Sequence, residues 1–221
     1  MVEQAEAMTQ RAGKMLDYVV QNAVEGDAAS IIRAADDYGY KCEQMMHVGA
    51  MKGEIVRTVV KELAPKVALE LGTYFGYSAV LTASVMPEDG QLLTVEFNEK
   101  NADIARKFIQ FARMDDKVTL IQGDSREVIK LMHEVYRVKT FDFVFLDHWK
   151  DVYKRDLKLL EENSLLHKGT VILADNMIRP GSPAYLKYVE TSDWYQTERK
   201  YSKLQYSKDD DALAKSVYLG P

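Results

Sequence analysis

Two apolar runs of the sequence end in side chains whose oxygens suit a hard divalent cation. The run FDFVFLD closes with Asp147, and the run TVILADN closes with Asp175 and Asn176. Because the two runs are expected to form neighbouring strands, these three side chains should converge beyond one edge of a sheet. Two carboxylates and an amide are typical ligands of Mg²⁺ and not of zinc. The alternative interpretation is that both carboxylates cap the helices that follow, which is a common role of Asp.

Lys150 lies three positions after Asp147 and is the candidate general base. Between them, His148 and Trp149 place an imidazole and an indole beside the expected cation. A divalent cation disfavours the ammonium form of a nearby lysine through like charge, so Lys150 could deprotonate a hydroxyl that the metal also acidifies. Without a metal, a lysine at the start of a helix is more simply a solvated charge.

A glycine-containing turn and a later carboxylate predict a nucleoside ligand. The turn ELGTYFG at 70–76 closes the first apolar run, and its glycines allow a ligand to approach the next helix N-terminus closely. Glu96 ends the second run, 20 residues after Gly76, where a carboxylate can accept hydrogen bonds from two ribose hydroxyls. NAD and S-adenosylmethionine would both satisfy this pattern. Asp124 and Ser125 end the third run, where they either flank an adenine or form an ordinary helix N-cap.

The elements that must hold these residues form a predicted α/β core over 64–221. Short apolar runs alternate with amphipathic stretches such as 98–114 and 151–166, which are long enough for right-handed crossovers. This alternation is typical of a doubly wound fold with a mostly parallel sheet. The five runs of the parallel part lie at 67–72, 92–97, 118–124, 141–147 and 170–176.

The two ends of the chain complete this predicted domain, which spans 1–221. Residues 1–63 are predicted to form a helical cap segment with helices at 3–22, 27–42 and 49–63. After a helix that Ser182 and Pro183 open, the segments YQTERKYSKLQYS and ALAKSVYLG predict two strands joined by the turn 208–211. Such an antiparallel C-terminal hairpin would bring the sheet to seven strands and distinguish it from a plain dinucleotide-binding sheet.

Composition excludes several classes of partner. The 34 acidic and 29 basic side chains give a net charge of -5, which offers no surface for DNA or RNA. One cysteine and four scattered histidines predict no structural zinc and favour the reducing cytoplasm. No run approaches the roughly 20 apolar residues of a membrane span, and 1–14 lacks the apolar core of a signal peptide. We therefore expect this form to be a soluble cytoplasmic monomer that acts on a small molecule.

The sequence resembles the catechol O-methyltransferase family along nearly its whole length. The pair VFLDHWKD and LADN is the most specific part of the resemblance. The other matching segments are LELGTYFGYSAV at 69–80, LLTVE at 92–96, RPGSP at 179–183 and YLGP at 218–221. The resemblance implies a Rossmann-like methyltransferase fold. It also implies transfer of the methyl group of S-adenosylmethionine to one hydroxyl of a catechol, with Mg²⁺ holding both catechol oxygens.

The resemblance further implies a role for each matching residue. Lys150 matches the base, and Lys52 matches a lysine just outside the sulfonium centre of the donor. The metal ligands are matched by Asp147, Asp175 and Asn176. Cofactor contacts are matched by Val48, Glu70, Gly72, Tyr74, Ser78, Glu96, Phe97, Ser125, Asp147, His148 and Trp149. Substrate contacts are matched by Met46, Lys150, Asn176, Pro180, Leu204 and Gln205.

Four positions depart from the family pattern, and the two most important lie in the expected acceptor pocket. Gln44 stands where the family has a tryptophan, and Gln205 where it has a glutamate that holds the non-reacting hydroxyl. Phe97 replaces a methionine beside the ribose contact. His47 replaces an asparagine and is interpreted as a polar residue near the cofactor. These changes predict weaker binding of catechols or a broader choice among them.

Three alternative functions remain at this stage. The first is a related metal-dependent methyltransferase of caffeoyl-coenzyme A or similar phenolics, against which the HWK segment and the YLGP ending count. The second is a non-catalytic relative that keeps the fold for binding, which Gln44 and Gln205 leave open. The third is a dehydrogenase, which would use the turn at 70–76 and Glu96 for NAD but would leave the three oxygen ligands without a purpose.

Overall fold

The structure is a computed structural model that describes the backbone of residues 2–221 and the side chains of residues 6–221. The helices begin and end close to the predicted positions, because Asp27 and Asn98 cap α2 and α5 with their side chains. The helices are α1 (Val2–Asn22), α2 (Ala28–Lys41), α3 (Gly49–Leu63), α4 (Tyr77–Ala83), α5 (Glu99–Phe111), α6 (Ser125–Lys130), α7 (Tyr153–Glu162) and α8 (Pro183–Thr191). The strands are β1 (Val67–Leu71), β2 (Gln91–Glu96), β3 (Val118–Gln122), β4 (Phe141–Leu146), β5 (Leu166–Ala174), β6 (Tyr195–Lys203) and β7 (Asp210–Tyr218).

The seven strands form one sheet in the order β3-β2-β1-β4-β5-β7-β6. β1 to β5 pair in parallel, whereas β7 runs antiparallel to both β5 and β6. The predicted doubly wound sheet and the C-terminal hairpin are both confirmed. Because β7 reverses direction, its first residues lie at the edge where the parallel strands end.

Helices cover both faces of the sheet, and the alternation of side chains along each strand divides the buried apolar residues into two clusters. Ala68 of β1 and Phe143 of β4 pack with residues of α1 to α5 on one face. Leu69 of β1 and Val144 of β4 pack with residues of α6 to α8 on the other. Within the described residues, no helix has the length and apolarity needed to cross a membrane.

Two boundaries in the sheet differ from the sequence prediction, and α5 and α7 end at Phe111 and Glu162, before the predicted 114 and 166. β5 begins at Leu166, before the apolar run at 170–176, because Leu166 still pairs with Phe141 across an irregularity in the register. The hairpin turn covers 204–209, earlier than the predicted 208–211, because β6 ends at Lys203, which pairs with Asp210. The shift places Leu204 and Gln205 in the turn itself, at the carboxyl edge of the parallel strands.

Candidate active site

Lys150 and Asp147 form an ion pair at the carboxyl end of β4. Asp147 directly follows the strand, and Lys150 begins a short 3₁₀ turn before α7. The Lys150 Nζ donates to Asp147 Oδ1 at 2.9 Å and to the Tyr153 hydroxyl at 2.7 Å. Tyr153 is fully buried, and its hydroxyl donates to the Leu146 carbonyl at 2.7 Å. The strand end and one helical turn therefore hold the amine beside the carboxylate.

Asp175 is buried after β5 and pairs with Lys52 of α3. The Lys52 Nζ lies 2.7 Å from Asp175 Oδ1 and 2.9 Å from Asp211 Oδ2, and none of the three side chains is more than 2% exposed. Burial and the negative charge of Asp147 raise the pKa of Asp175 to about 6, although Lys52 acts in the opposite direction. Burial also acts to lower the pKa of Lys52, but the two carboxylates outweigh it and raise that pKa above its ordinary value.

Asp211 orders the third candidate metal ligand and the turn that follows it. Asn176 has a left-handed backbone, with φ of 61°, and its Nδ2 donates to Asp211 Oδ2 at 3.1 Å. The amide oxygen is therefore the atom left for a cation. Asp211 Oδ1 accepts from the backbone amides of Ile178 at 3.1 Å and Arg179 at 3.2 Å. These hydrogen bonds fix the turn that carries Pro180.

The donor atoms at this edge fit Mg²⁺. Asp147 and Asp175 follow two paired strands, and their repulsion contributes to the raised pKa of Asp175. A divalent cation between them would relieve that repulsion. Within residues 6–221, no group of three or more His, Cys, Asp or Glu side chains is placed to hold a metal. The third protein ligand would therefore have to be Asn176, and two carboxylates with one amide match the preference of Mg²⁺ for oxygen.

Helix capping does not explain the two aspartates. The N-cap residues of α7 and α8 are Val152 and Ser182, and neither makes a side-chain cap. The Asp175 Oδ1 accepts instead from the neighbouring Asn176 amide at 2.7 Å. The capping interpretation is therefore wrong for these residues. It is confirmed for Asp124, whose side chain accepts from the Arg126 amide at 2.9 Å at the start of α6.

Gly72 brings the loop after β1 against the residues that end β4. Its φ is 97°, and a Cβ atom there would lie 2.7 Å from the Asp147 carbonyl carbon and oxygen and from the His148 backbone nitrogen. No side chain fits in that space, so glycine is required. The predicted cofactor loop and the predicted metal and base residues therefore meet at one place.

Glu96 is buried at the end of β2 and binds the same loop. Its Oε2 accepts from the backbone amides of Tyr74 at 2.7 Å and Thr73 at 3.3 Å, and its Oε1 accepts from the Asn98 amide at 2.8 Å. Burial raises the pKa of Glu96, although these hydrogen bonds act against it. The carboxylate thus lies at the loop for which a nucleoside ligand is predicted.

Glu70 has a buried carboxyl group, and only one of its two oxygens makes a well-formed hydrogen bond. Its Oε1 accepts from the Thr94 hydroxyl at 2.6 Å, whereas its Oε2 lies near Ser78 and makes no well-formed hydrogen bond. Burial raises the pKa of Glu70 to about 8. A buried oxygen of this kind is costly unless a ligand or water satisfies it, so it fits a contact to the amino group of a cofactor.

Asp156 of α7 joins two predicted cofactor residues. Its Oδ2 accepts from Ser125 Oγ at 2.6 Å and from His148 Nε2 at 2.7 Å. Burial acts to raise the pKa of Asp156, but hydrogen bonds from His148, Arg155 and Ser125 outweigh it and lower that pKa. Burial lowers the pKa of His148, whose ring stacks on Tyr153 with centroids 5.0 Å apart. The network fixes the His148 ring behind the end of β4.

Several apolar residues predicted to contact ligands are open to solvent. Phe97, Trp149 and Met46 are 74%, 70% and 66% exposed, and Pro180 is exposed as well. Each follows a strand or precedes a helix at the carboxyl edge of the sheet. Exposed apolar side chains around a polar centre are the surface that a planar ligand would cover.

Gln205 packs on the start of α3, and Leu204 belongs to the same hairpin turn, where its amide donates to the Asp209 carbonyl at 3.0 Å. A Cβ atom at Gly49 would lie 2.0 Å from Gln205 Cδ and Oε1, so the amide rests on the glycine backbone next to the buried Val48. The Gln205 Nε2 is buried and has no hydrogen-bond partner among residues 6–221. The Gln205 side chain also lies beside the Tyr206 hydroxyl.

His47 contacts aromatic rings and the hairpin turn, not Lys150. Its Nδ1 accepts from the Gly49 amide at 3.1 Å, and its Nε2 lies 2.9 Å from the Tyr206 hydroxyl. Burial, with a smaller effect of the Lys52 charge, lowers the pKa of His47 to about 3. The ring centroid lies 5.7 Å from that of Phe75, in the loop after β1.

Sequence reasoning missed three residues that hold the predicted site residues. Tyr153 lies three positions after Lys150, so a helical face extended from Lys150 would have identified it, whereas Asp156, six positions after Lys150, lies off that face. No comparable signal marks Asp211, because it is one of three consecutive aspartates. Only the sheet pairing shows that Asp211 is the buried one.

Comparison with known proteins finds relatives of one family along most of this chain. A model of the O-methyltransferase family matches residues 28–201. Catechol O-methyltransferase of Bos taurus is 47% identical over 207 residues, which cover 94% of this chain and 76% of the relative. Catechol O-methyltransferase B of Danio rerio is 48% identical over 210 residues, which cover 95% and 80%.

Solved structures share the fold. The O-methyltransferase from Bacillus cereus, determined in complex with SAH, has a TM-score of 0.71 and is 22% identical to this chain. The match covers 93% of this chain and 90% of that protein. The likeness extends through the helical cap as well as the sheet.

Proposed function

We propose that this chain, which belongs to the O-methyltransferase family, transfers the methyl group of S-adenosylmethionine to one hydroxyl of a catechol with the help of Mg²⁺. One observation carries the proposal. Lys150, Asp147 and the loop at Gly72 meet at the carboxyl end of β4, beside Asp175 at the end of β5. A candidate base, candidate metal ligands and a candidate cofactor loop are thus adjacent. The relatives named catechol O-methyltransferase support a catechol as the acceptor.

The metal ion and the cofactor would supply the divalent charge and the methyl group, which the side chains of the site cannot provide. Mg²⁺ contributes positive charge that favours ionisation of a phenol, and S-adenosylmethionine contributes the methyl group. Asp147, Asp175 and Asn176 would hold the cation. The residues that would bind the cofactor are Val48, Glu70, Gly72, Tyr74, Ser78, Glu96, Phe97, Ser125, Asp147, His148 and Trp149.

Lys150 would accept the proton of the reacting hydroxyl. Its amine donates to Asp147 and Tyr153, which hold the nitrogen beside the candidate metal ligands. A cation held by Asp147 would replace the hydrogen bond between that carboxylate and Lys150, which would leave the amine nitrogen to face the reacting hydroxyl. Tyr153 keeps the nitrogen in place throughout, since its own hydroxyl is fixed to the Leu146 carbonyl.

The acceptor would lie between the exposed apolar residues Trp149, Pro180 and Met46 and the turn that carries Leu204 and Gln205. Vicinal hydroxyls suit such a site because a single cation can hold two adjacent oxygens. The Gln205 amide can bond to the second oxygen, but without the charge that strengthens such a hydrogen bond. We infer weaker or broader selection of catechols in a cytoplasmic monomer.

The direct test is a methyl-transfer assay with S-adenosylmethionine, Mg²⁺ and a panel of catechols, simple phenols and caffeoyl-coenzyme A. We expect transfer to catechols, little transfer to simple phenols, and loss of transfer when EDTA removes the metal. Preference for caffeoyl-coenzyme A would favour the related phenylpropanoid enzymes. S-adenosylmethionine binding by calorimetry without transfer to any acceptor would favour a non-catalytic relative.

A further inference from the structure

The hairpin turn at 204–209 and the segment between α2 and α3 are joined by a hydrogen bond that has no part in the proposed chemistry. The Tyr206 hydroxyl lies 2.9 Å from His47 Nε2. Because His47 Nδ1 accepts from the Gly49 amide, Nε2 carries the ring proton and donates it to Tyr206. The two residues are 159 positions apart in sequence, so the contact closes a long section of the chain.

The Tyr206 side chain fills a space that α2 leaves open for it. A Cβ atom at Gly39 would lie 1.8 Å from the Tyr206 hydroxyl oxygen, so any larger residue at position 39 would expel the tyrosine. The Tyr206 ring meets that of Tyr40 edge-on, with centroids 5.0 Å apart. A glycine in the middle of a helix costs helix stability, and here it admits the tyrosine.

The backbone of the turn depends on this contact. Tyr206 has a left-handed φ of 59°, which is unfavourable for a non-glycine residue. Two hydrogen bonds close the turn itself, from the Leu204 amide to the Asp209 carbonyl at 3.0 Å and from the Ser207 amide to the Leu204 carbonyl at 3.1 Å. The preceding residue is Gln205, whose amide rests on Gly49. Any movement of Tyr206 therefore moves Gln205.

His47 also touches the cofactor side of the site. Its ring lies 4.3 Å from the Tyr77 ring and 5.7 Å from the Phe75 ring, measured between centroids. Phe75 belongs to the loop after β1, and Tyr77 begins α4. The imidazole is thus fixed from one side by the scaffold that carries the cofactor loop, and it holds the hairpin turn from the other.

We propose that His47 and Tyr206 are a positioning pair, which fastens the hairpin turn to the segment before α3 and thereby sets the place of Gln205 beside the acceptor. The effect on Gln205 and the acceptor rests on the proposed function, whereas the attachment of the hairpin turn to the segment before α3 does not. Neither residue is assigned a catalytic role, because His47 contacts the loop after β1 and Tyr206 lies beside Gln205, and neither contacts Lys150.

Amide hydrogen exchange of the peptide covering 204–209 tests the fastening without any activity. Tyr206→Phe removes only the hydroxyl, and Gly39→Ala blocks the space for it while improving the helix. We expect both variants to exchange about fivefold faster at this turn, the effect of losing one hydrogen bond, with unchanged exchange in β1. Wild-type exchange in both variants would overturn the positioning pair.

Two substitutions of His47 form a matched control. His47→Asn keeps an acceptor for the Gly49 amide but is too short to reach Tyr206, whereas His47→Gln reaches Tyr206. We expect fast exchange at the turn in the first and near wild-type exchange in the second. Equal exchange rates at the turn in the two variants would contradict the role of the hydrogen bond between His47 Nε2 and Tyr206.

Kinetics then test the effect on the acceptor. Tyr206→Phe should raise KM for the catechol about fivefold while kcat and the calorimetric Kd for S-adenosylmethionine stay constant. Unchanged KM together with faster exchange would overturn the link to Gln205. If wild type methylates no catechol, the proposed function fails, and the exchange experiment still decides whether the pair fastens the turn.

Discussion

The two sides of the candidate site are built differently. On the donor and metal side, Glu96 ends β2, Asp147 and Asp175 directly follow β4 and β5, and each side chain has at least one polar partner. On the acceptor side, Gln205 and Met46 belong to connecting segments, one with an unpaired amide nitrogen and the other with most of its side chain exposed. The difference predicts that the proposed chemistry resides on strand ends that the sheet pairing holds in register, whereas acceptor choice resides on connecting segments whose sequence can vary.

The largest expected effect tests the chemistry of the donor and metal side. Lys150→Ala should lower kcat at least about 100-fold, because general bases contribute that much, while the calorimetric Kd for S-adenosylmethionine stays within about twofold. Lys168→Ala, at an exposed site away from the carboxyl edge, is the control and should match wild type. A similar loss in both variants would remove Lys150 from its role as base.

Glu96→Gln tests whether the donor and metal side binds the nucleoside part of S-adenosylmethionine. The amide keeps the shape of the carboxylate but not its charge, so we expect the Kd for S-adenosylmethionine to rise about tenfold. The KM for the catechol should remain as in wild type once the cofactor is saturating. Titration calorimetry measures the first and initial rates the second; a raised KM with unchanged Kd would place Glu96 on the acceptor side.

Asp36 of α2 provides a test of how a partly buried carboxylate affects the stability of the helices next to the acceptor side. Burial raises the pKa of Asp36 to about 6, although its hydrogen bond from Tyr77 acts against the shift. The folded-state pKa lies above the unfolded value of 3.8. The associated stability is therefore complete below about pH 4 and is lost as the pH rises through about 6.

Asp36→Asn should remove the loss of stability that accompanies ionisation of this carboxyl group. The variant should be more stable than wild type at pH 7.5 by about 1 kcal/mol, after allowance for the partial exposure of the carboxyl. The advantage should disappear near pH 4. Urea unfolding at the two pH values measures it, and a difference that does not change with pH would refute the assignment.

The smallest expected effect concerns acceptor choice. Gln205→Glu supplies a charged acceptor for the second catechol hydroxyl, and we expect KM for catechol to fall about threefold with kcat unchanged. Gln110→Glu adds the same charge on the exposed face of α5 and is the control. If both variants lower KM equally, the effect comes from net charge and not from the position of Gln205.

Most of the fold could be predicted because its signals are local. The five parallel strands alternate with helical segments, and α3 begins and ends at the predicted residues because its apolar positions repeat at helical spacing. The hairpin turn was predicted about four residues late, because the polar stretch around 208–211 contains no glycine or proline to mark where pairing begins.

The sequence by itself determined which side chains are candidates for the proposed chemistry. Asp147, Lys150, Asp175 and Asn176 were identifiable because strand ends of a parallel sheet share one edge, so position in the strand already fixes position in space. The tertiary structure decided which groups support them. Asp211, Asp156 and the His47–Tyr206 pair act across 8 to 159 residues of chain. Their partners are set by the packing of β7, α7 and the hairpin turn, and no local pattern records such contacts.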